Sequence, residues 1–135
     1  MMATQKDVRR VALSLPGAEQ VFRHGGYAYS VPNRGKLKEF VWVWMERVTP
    51  RKPRVPNFDV IAVRVADLDE RDRLLAESPG KFVTDPHYDG FPAVLVRLEA
   101  VRLPELRKLL TEGWRCQAPV DLERPKRPIR RDARG

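Results

Sequence analysis

The sequence predicts an α+β fold: one compact domain, a mostly antiparallel sheet, and helices packed mainly on one face. Three observations carry this expectation. Short runs with period-two alternation, such as Ala93 to Leu98, read as strands. Three other segments carry apolar residues at helical spacing. The chain of 135 residues holds one domain with a proper core and is too short for two. The expected element order is helix, three strands, helix, two strands, helix.

The first helix opens at Thr4, an N-cap, with Asp7 three residues on as a partner for the free backbone N–H groups. Val8, Val11, Ala12 and Leu15 form its apolar stripe, and Pro16-Gly17 ends it. Ala18 to Gly26 lacks a pattern and reads as a connector. Tyr27 to Val31 is a short strand closed by the turn Pro32-Asn33-Arg34-Gly35. Lys38 to Met45 is the most apolar strand, with Phe40, Trp42 and Trp44 on one face and Val41, Val43 and Met45 on the other. Apolar residues on both faces imply a central, covered strand. The two tryptophans therefore read as core between sheet and helices rather than as a base-stacking platform.

The prolines at 50, 53 and 56 make Thr49 to Asn57 a stiff, extended wing between antiparallel strands, from which Arg51, Lys52 and Arg54 project. Phe58 to Val65 is the next strand. Asp67 as N-cap with Glu70 at N3 starts a second helix that runs to about Glu77 and buries Leu68, Leu74 and Leu75. Lys81 to Thr84 and Ala93 to Leu98 are strands joined by a loop of Asp-Pro, Asp-Gly and Phe-Pro pairs. The last helix has Pro104 in its first turn and the stripe Leu103, Leu106, Leu109, Leu110 and Trp114. Gly113 weakens it, and Ala118-Pro119 closes it. After Leu122, prolines and charges replace apolar residues, so residues 123–135 read as a basic, disordered tail.

Hydrophobic content of 42% beside 33% charged residues fits a soluble globular protein. No apolar run reaches the roughly 20 residues of a membrane span. The amino terminus lacks the apolar core of a secretory signal, and a single cysteine, Cys116, suits a reducing cytoplasm. Net charge is +8 and favours polyanionic partners. From Asp121 onward, six basic residues stand against three acidic ones, so +3 lies there and +5 in the first 120 residues.

No residue set names a reaction. Asp85, His87 and Asp89 alternate in one loop, but alternation supplies no convergent metal shell, and Asp before Pro or Gly has routine turn duties. No phosphate-binding glycine loop and no nucleophile elbow occurs. The expectation is a protein without catalytic residues, metal or cofactor.

The segments Ala12 to Glu19, Ala66 to Arg71, Thr84 to Leu98, and Leu109 to Arg115 with Ala118-Pro119 together resemble the MmcQ/YjbR-like family. The likeness spans about residues 5–122 and is most specific from His87 to Leu98. It implies a CyaY-like (frataxin-type) α+β fold of double-wing form. It also implies a DNA-binding role with no established enzymatic activity or cofactor. The chain departs from the family between Asn33 and Asn57 and after Leu122, so what those segments bind is not borrowed from it.

Two functions follow as expectations. In the first, Arg51, Lys52 and Arg54 join Arg124, Lys126, Arg127, Arg130 and Arg131 of the tail in contacting DNA phosphates, with weak sequence selectivity. The alternative is a protein-interaction or small-ligand module using a hollow near Tyr27, Tyr29, His87 and Tyr88.

Overall fold

A computed structural model describes residues 2–120. Thr4 caps helix α1 (Gln5–Leu13), its hydroxyl accepting from the Asp7 N–H while the Asp7 carboxylate accepts from the Thr4 N–H at 3.0 Å. Four strands follow, β1 (Glu19–Arg23), β2 (Gly26–Asn33), β3 (Lys36–Glu46) and β4 (Val55–Arg64). Helix α2 (Leu68–Glu77), β5 (Phe82–Val83), β6 (Ala93–Arg97) and helix α3 (Leu103–Gln117) complete the chain, with 3₁₀ turns at Pro86–Tyr88 and Leu98–Ala100. The sheet has six strands in the order β1-β2-β3-β4-β6-β5, and every pairing is antiparallel. This is the α+β architecture expected, with one strand more.

The extra strand is β1, in the stretch that reads as a connector. Four of its five residues are exposed, so it has no buried alternation to betray it. It is held by its ladder to β2, through a two-residue turn in which His24 (φ 54°) and Gly25 (φ 82°) are both left-handed. That is the geometry hairpins prefer, because its twist matches the strands. Arg34 (φ 55°) and Gly35 (φ 80°) repeat it between β2 and β3.

One core lies between the sheet and the helices. Val8, Val11 and Ala12 of α1 and Leu106, Leu110 and Trp114 of α3 pack with Tyr29, Val31, Val41, Ile61, Val63, Val94 and Val96. Leu74 anchors α2 there, whereas Leu68, in the helix's first turn, is exposed. The Trp114 indole N–H donates to the Pro16 carbonyl at 2.9 Å, fastening α3 to the exit of α1. Gly113 lets α3 approach closely: a Cβ there would meet the carbonyl oxygens of Arg64 and Phe40, both at 3.1 Å.

The tryptophans depart from expectation. The β2–β3 register shifts between Tyr29 and Ser30, so Phe40 and Val41, adjacent in sequence, both join the helix-side core. A β-bulge has this effect, since an extra residue on one strand breaks the alternation. Trp44 and half-buried Trp42 instead pack with Ala62, Tyr88 and Leu95 in a second, smaller cluster on the opposite face. That cluster contains no residue from any of the three helices. Strand β4 also begins earlier than the prolines suggest, with Val55, Pro56 and Asn57 paired to Glu46, Met45 and Trp44.

Candidate binding hollow beside the aromatic cluster

The loop between β5 and β6 covers part of the face that carries the smaller cluster because its turn is built from local hydrogen bonds. Asp85 accepts from the His87 N–H at 2.9 Å, which is the turn duty its position before proline suggests. The Tyr88 N–H returns to the Asp85 carbonyl, and the Phe91 N–H to that of Tyr88. Arg71 of α2 donates to the Tyr88 carbonyl at 3.1 Å and holds the turn from outside. Tyr88 is thereby pressed onto the sheet, buried, with its hydroxyl accepting from the Trp42 indole N–H at 2.8 Å. Burial pushes the Tyr88 phenol above its ordinary value, so it stands as a neutral hydroxyl at physiological pH.

Beside this turn lies a hollow of about 630 Å³. Arg23, Glu39, Trp42, Trp44, Arg64 and Phe91 form much of its wall, together with His87 and Tyr88. Tyr88 stands at the centre of an aromatic row, its ring 5.6 Å from Phe91, 5.4 Å from Trp44 and 6.2 Å from Trp42. Each end of the row carries a guanidinium: Arg54 lies 5.4 Å over Trp44, and Arg64 5.2 Å over Phe91. Such stacking joins a cation to the negative face of a ring.

The arginines differ in what holds them. Arg23 grips Glu39 with both ends of its fork, the Nε–H at 2.7 Å, and this hydrogen-bonded carboxylate raises the Arg23 pKa. Arg54 donates to the Met45 carbonyl at 2.9 Å. The Nε of Arg64 is buried and has no hydrogen-bond partner, alone in this respect among the buried side-chain nitrogens and oxygens of the described residues. The lining contains no Ser, Thr or Cys that could serve as a nucleophile.

The expected site residues divide. His87 and Tyr88 are in the hollow. Tyr29 is not: it is buried on the helix side and bonded through its hydroxyl to Gln20, because it falls on the other face of β2. Exposed Tyr27 pairs edge-on with Phe22, 5.0 Å away, and does not line the hollow. Arg51 and Lys52 are exposed at the β3–β4 turn, where Arg47 donates to the carbonyls of Pro50 and Lys52. Arg54 is drawn in to Trp44 instead. Arg124, Lys126, Arg127, Arg130 and Arg131 lie outside the described residues. Sequence reasoning missed Arg64 and Phe91. The alternation of β4 places Arg64 on the Ala62 face, and that was the available signal.

No family model matches the chain. Uncharacterized proteins of Mycobacterium tuberculosis and Mycobacterium bovis are each 35% identical to it over 130 residues, covering 90% of this chain and 93% of theirs. Among solved structures, the crystal structure of Deinococcus radiodurans protein DR2400, a DUF419 domain, superposes with a TM-score of 0.62 at 19% identity. The match covers 84% of this chain and 77% of that one. At that identity the likeness establishes a shared fold.

Proposed function

The chain belongs to the same family as these mycobacterial proteins, and from that premise we propose that it is a non-enzymatic nucleic-acid-binding module of the MmcQ/YjbR type. The observation that carries this reading is the row Arg54–Trp44–Tyr88–Phe91–Arg64, two cation-capped aromatic ends on the sheet face whose apolar cluster contains no helix residue. Beside it, the β3–β4 turn holds out Arg51 and Lys52. Arginines meet phosphates, the partly exposed rings of Phe91 and Trp42 meet bases while buried Tyr88 and Trp44 support them, and neither contact reads a donor–acceptor code, so weak sequence selectivity follows. The likeness between Thr84 and Leu98 supports the same reading, since this segment builds the hollow.

The test is a binding titration with fluorescent oligonucleotides of unrelated sequence over a range of salt. Affinity should fall linearly on a log–log plot, about 0.9 in slope for each phosphate contacted, and should differ little among sequences. Absence of binding even at about 50 mM salt, where phosphate contacts are strong, would remove the reading. The hollow favours a second one, a small-ligand module, because its 630 Å³ lies within the roughly 300–1,000 Å³ of small-molecule sites.

A further inference from the structure

Arg64 is the hollow's anomaly. Burying an N–H donor without a partner is unfavourable, yet the Arg64 Nε is held in that condition. The other arginine of the wall, Arg23, is neutralised by Glu39. The two nearby arginines outside the wall are held by backbone carbonyls: Arg54 by Met45, and Arg71 by Tyr88. Arg64 has no carboxylate within ion-pair distance among the described residues, and its guanidinium carbon lies 5.2 Å over the Phe91 ring. A guanidinium held over a ring and paired with no carboxylate keeps N–H groups for a forked contact with an anion, which is the geometry that suits phosphate.

The surroundings specify what accompanies the anion. Phe91 is 38% exposed and Trp42 half-buried, with 6.5 Å between their rings, so both offer aromatic surface to a second planar group. The site is also concave. A duplex keeps its base faces stacked inside and presents groove edges and backbone. A base face reaches a recessed ring only when the base is unpaired.

We propose that the hollow takes one unpaired nucleotide, its phosphate on the edge of Arg64 and its base against the Phe91–Trp42 wall. This rests on the nucleic-acid reading for the strand as source; a free nucleotide offers the same chemistry, and the experiment separates the two.

Adenosine monophosphate, adenosine and inorganic phosphate are titrated in parallel, followed by tryptophan fluorescence, which Trp42 and Trp44 report from within the site. A short oligothymidylate and the same strand paired to its complement form a second arm. The monophosphate should bind at least about tenfold more tightly than either half alone, because base stacking and the charge-assisted phosphate contact add. The single strand should bind more tightly than the duplex. Arg64→Lys keeps the charge but loses the fork, and should weaken the monophosphate by about tenfold with an unchanged melting temperature. Phe91→Leu should weaken it independently, which covers the case in which the Arg64 variant fails to fold.

Binding of the monophosphate and of the single strand supports the proposal with the strand as source. Binding of the monophosphate with no oligonucleotide bound supports it for a free nucleotide and overturns the nucleic-acid reading. Equal binding of single strand and duplex, with no response to the monophosphate, overturns the proposal while leaving the nucleic-acid reading standing. Unaltered monophosphate affinity in both Arg64→Lys and Phe91→Leu also overturns it.

Discussion

The Trp42 indole N–H and the Tyr88 hydroxyl, 46 residues apart in the chain, are joined by a 2.8 Å hydrogen bond that fixes the β5–β6 turn onto the sheet. Tyr88→Phe keeps the ring stack and deletes the acceptor. It should cost about 1–3 kcal/mol, the range for leaving a part-buried donor unpaired, measured as a shift in denaturant midpoint. Titration adds a pH signature. The native Tyr88 phenol lies above the ordinary 10.0 through burial, so its contribution to stability is complete below about pH 10 and is lost as pH rises through the native value. Tyr29 is raised by burial in the same sense. Alkaline unfolding should therefore set in above pH 10 and be shallower in Tyr88→Phe. An identical alkaline profile in the variant would show that Tyr88 does not carry it.

The fold was legible where burial imposes an unbroken period. The stripes of α1 and α3, the alternation of β6 and the caps at Thr4 and Asp67 all follow from local chemistry and are all present. Strand β1 was not legible, because an exposed edge strand is held by its ladder and its turn, neither of which demands an apolar pattern. The site was half legible. The loop composition pointed to His87 and Tyr88, but the bulge at Phe40 decides which aromatic residues of β3 reach them, and a one-residue offset leaves no mark on composition.

The tryptophans test that assignment energetically. Trp44, 5% exposed and in the centre of the smaller cluster, should cost about 3–5 kcal/mol on Trp44→Ala. Trp42 is only half-buried and should cost less. Chemical denaturation of both variants checks the order. A larger loss for Trp42 would mean that its bond to Tyr88 outweighs the area Trp44 buries.

Gly113 reads in sequence as a weak point of the last helix, and its packing reverses that meaning. Gly113→Ala would gain about 1 kcal/mol of helix propensity. The added methyl would meet two strand carbonyl oxygens at 3.1 Å and a Val63 methyl at 3.2 Å, and backbone cannot rotate away. Overpacking of this kind costs about 1–3 kcal/mol, so the variant should melt lower than the parent. A higher melting temperature would show that α3 can lift from the sheet without loss.

Asp85, His87 and Asp89 supply a further check. Among the described residues no cluster of three His, Cys, Asp or Glu is placed to hold a metal ion, and Asp85 is spent on the His87 N–H. A strong chelator should leave the melting temperature unchanged. A drop reversed by one divalent cation would instead make this loop a metal site that contributes to folding.

The last prediction separates the exposed β3–β4 turn from the basic residues after Glu123. Arg51 and Lys52 are exposed at that turn, while Arg54 is committed to Trp44 and Met45. Neutralising Arg51 and Lys52 together should flatten the salt dependence of duplex binding by about 2 units, at about 0.9 for each lost phosphate contact, and alike for all sequences. Arg54→Ala should act differently, lowering stability as well as affinity, because it removes a ring contact and a hydrogen bond. Truncation before Glu123 removes six basic and two acidic residues and should flatten the slope further with little change in melting temperature. If the turn variant binds with the parent's slope while the truncated chain loses binding altogether, the phosphate contacts lie in the C-terminal segment and not at the β3–β4 turn.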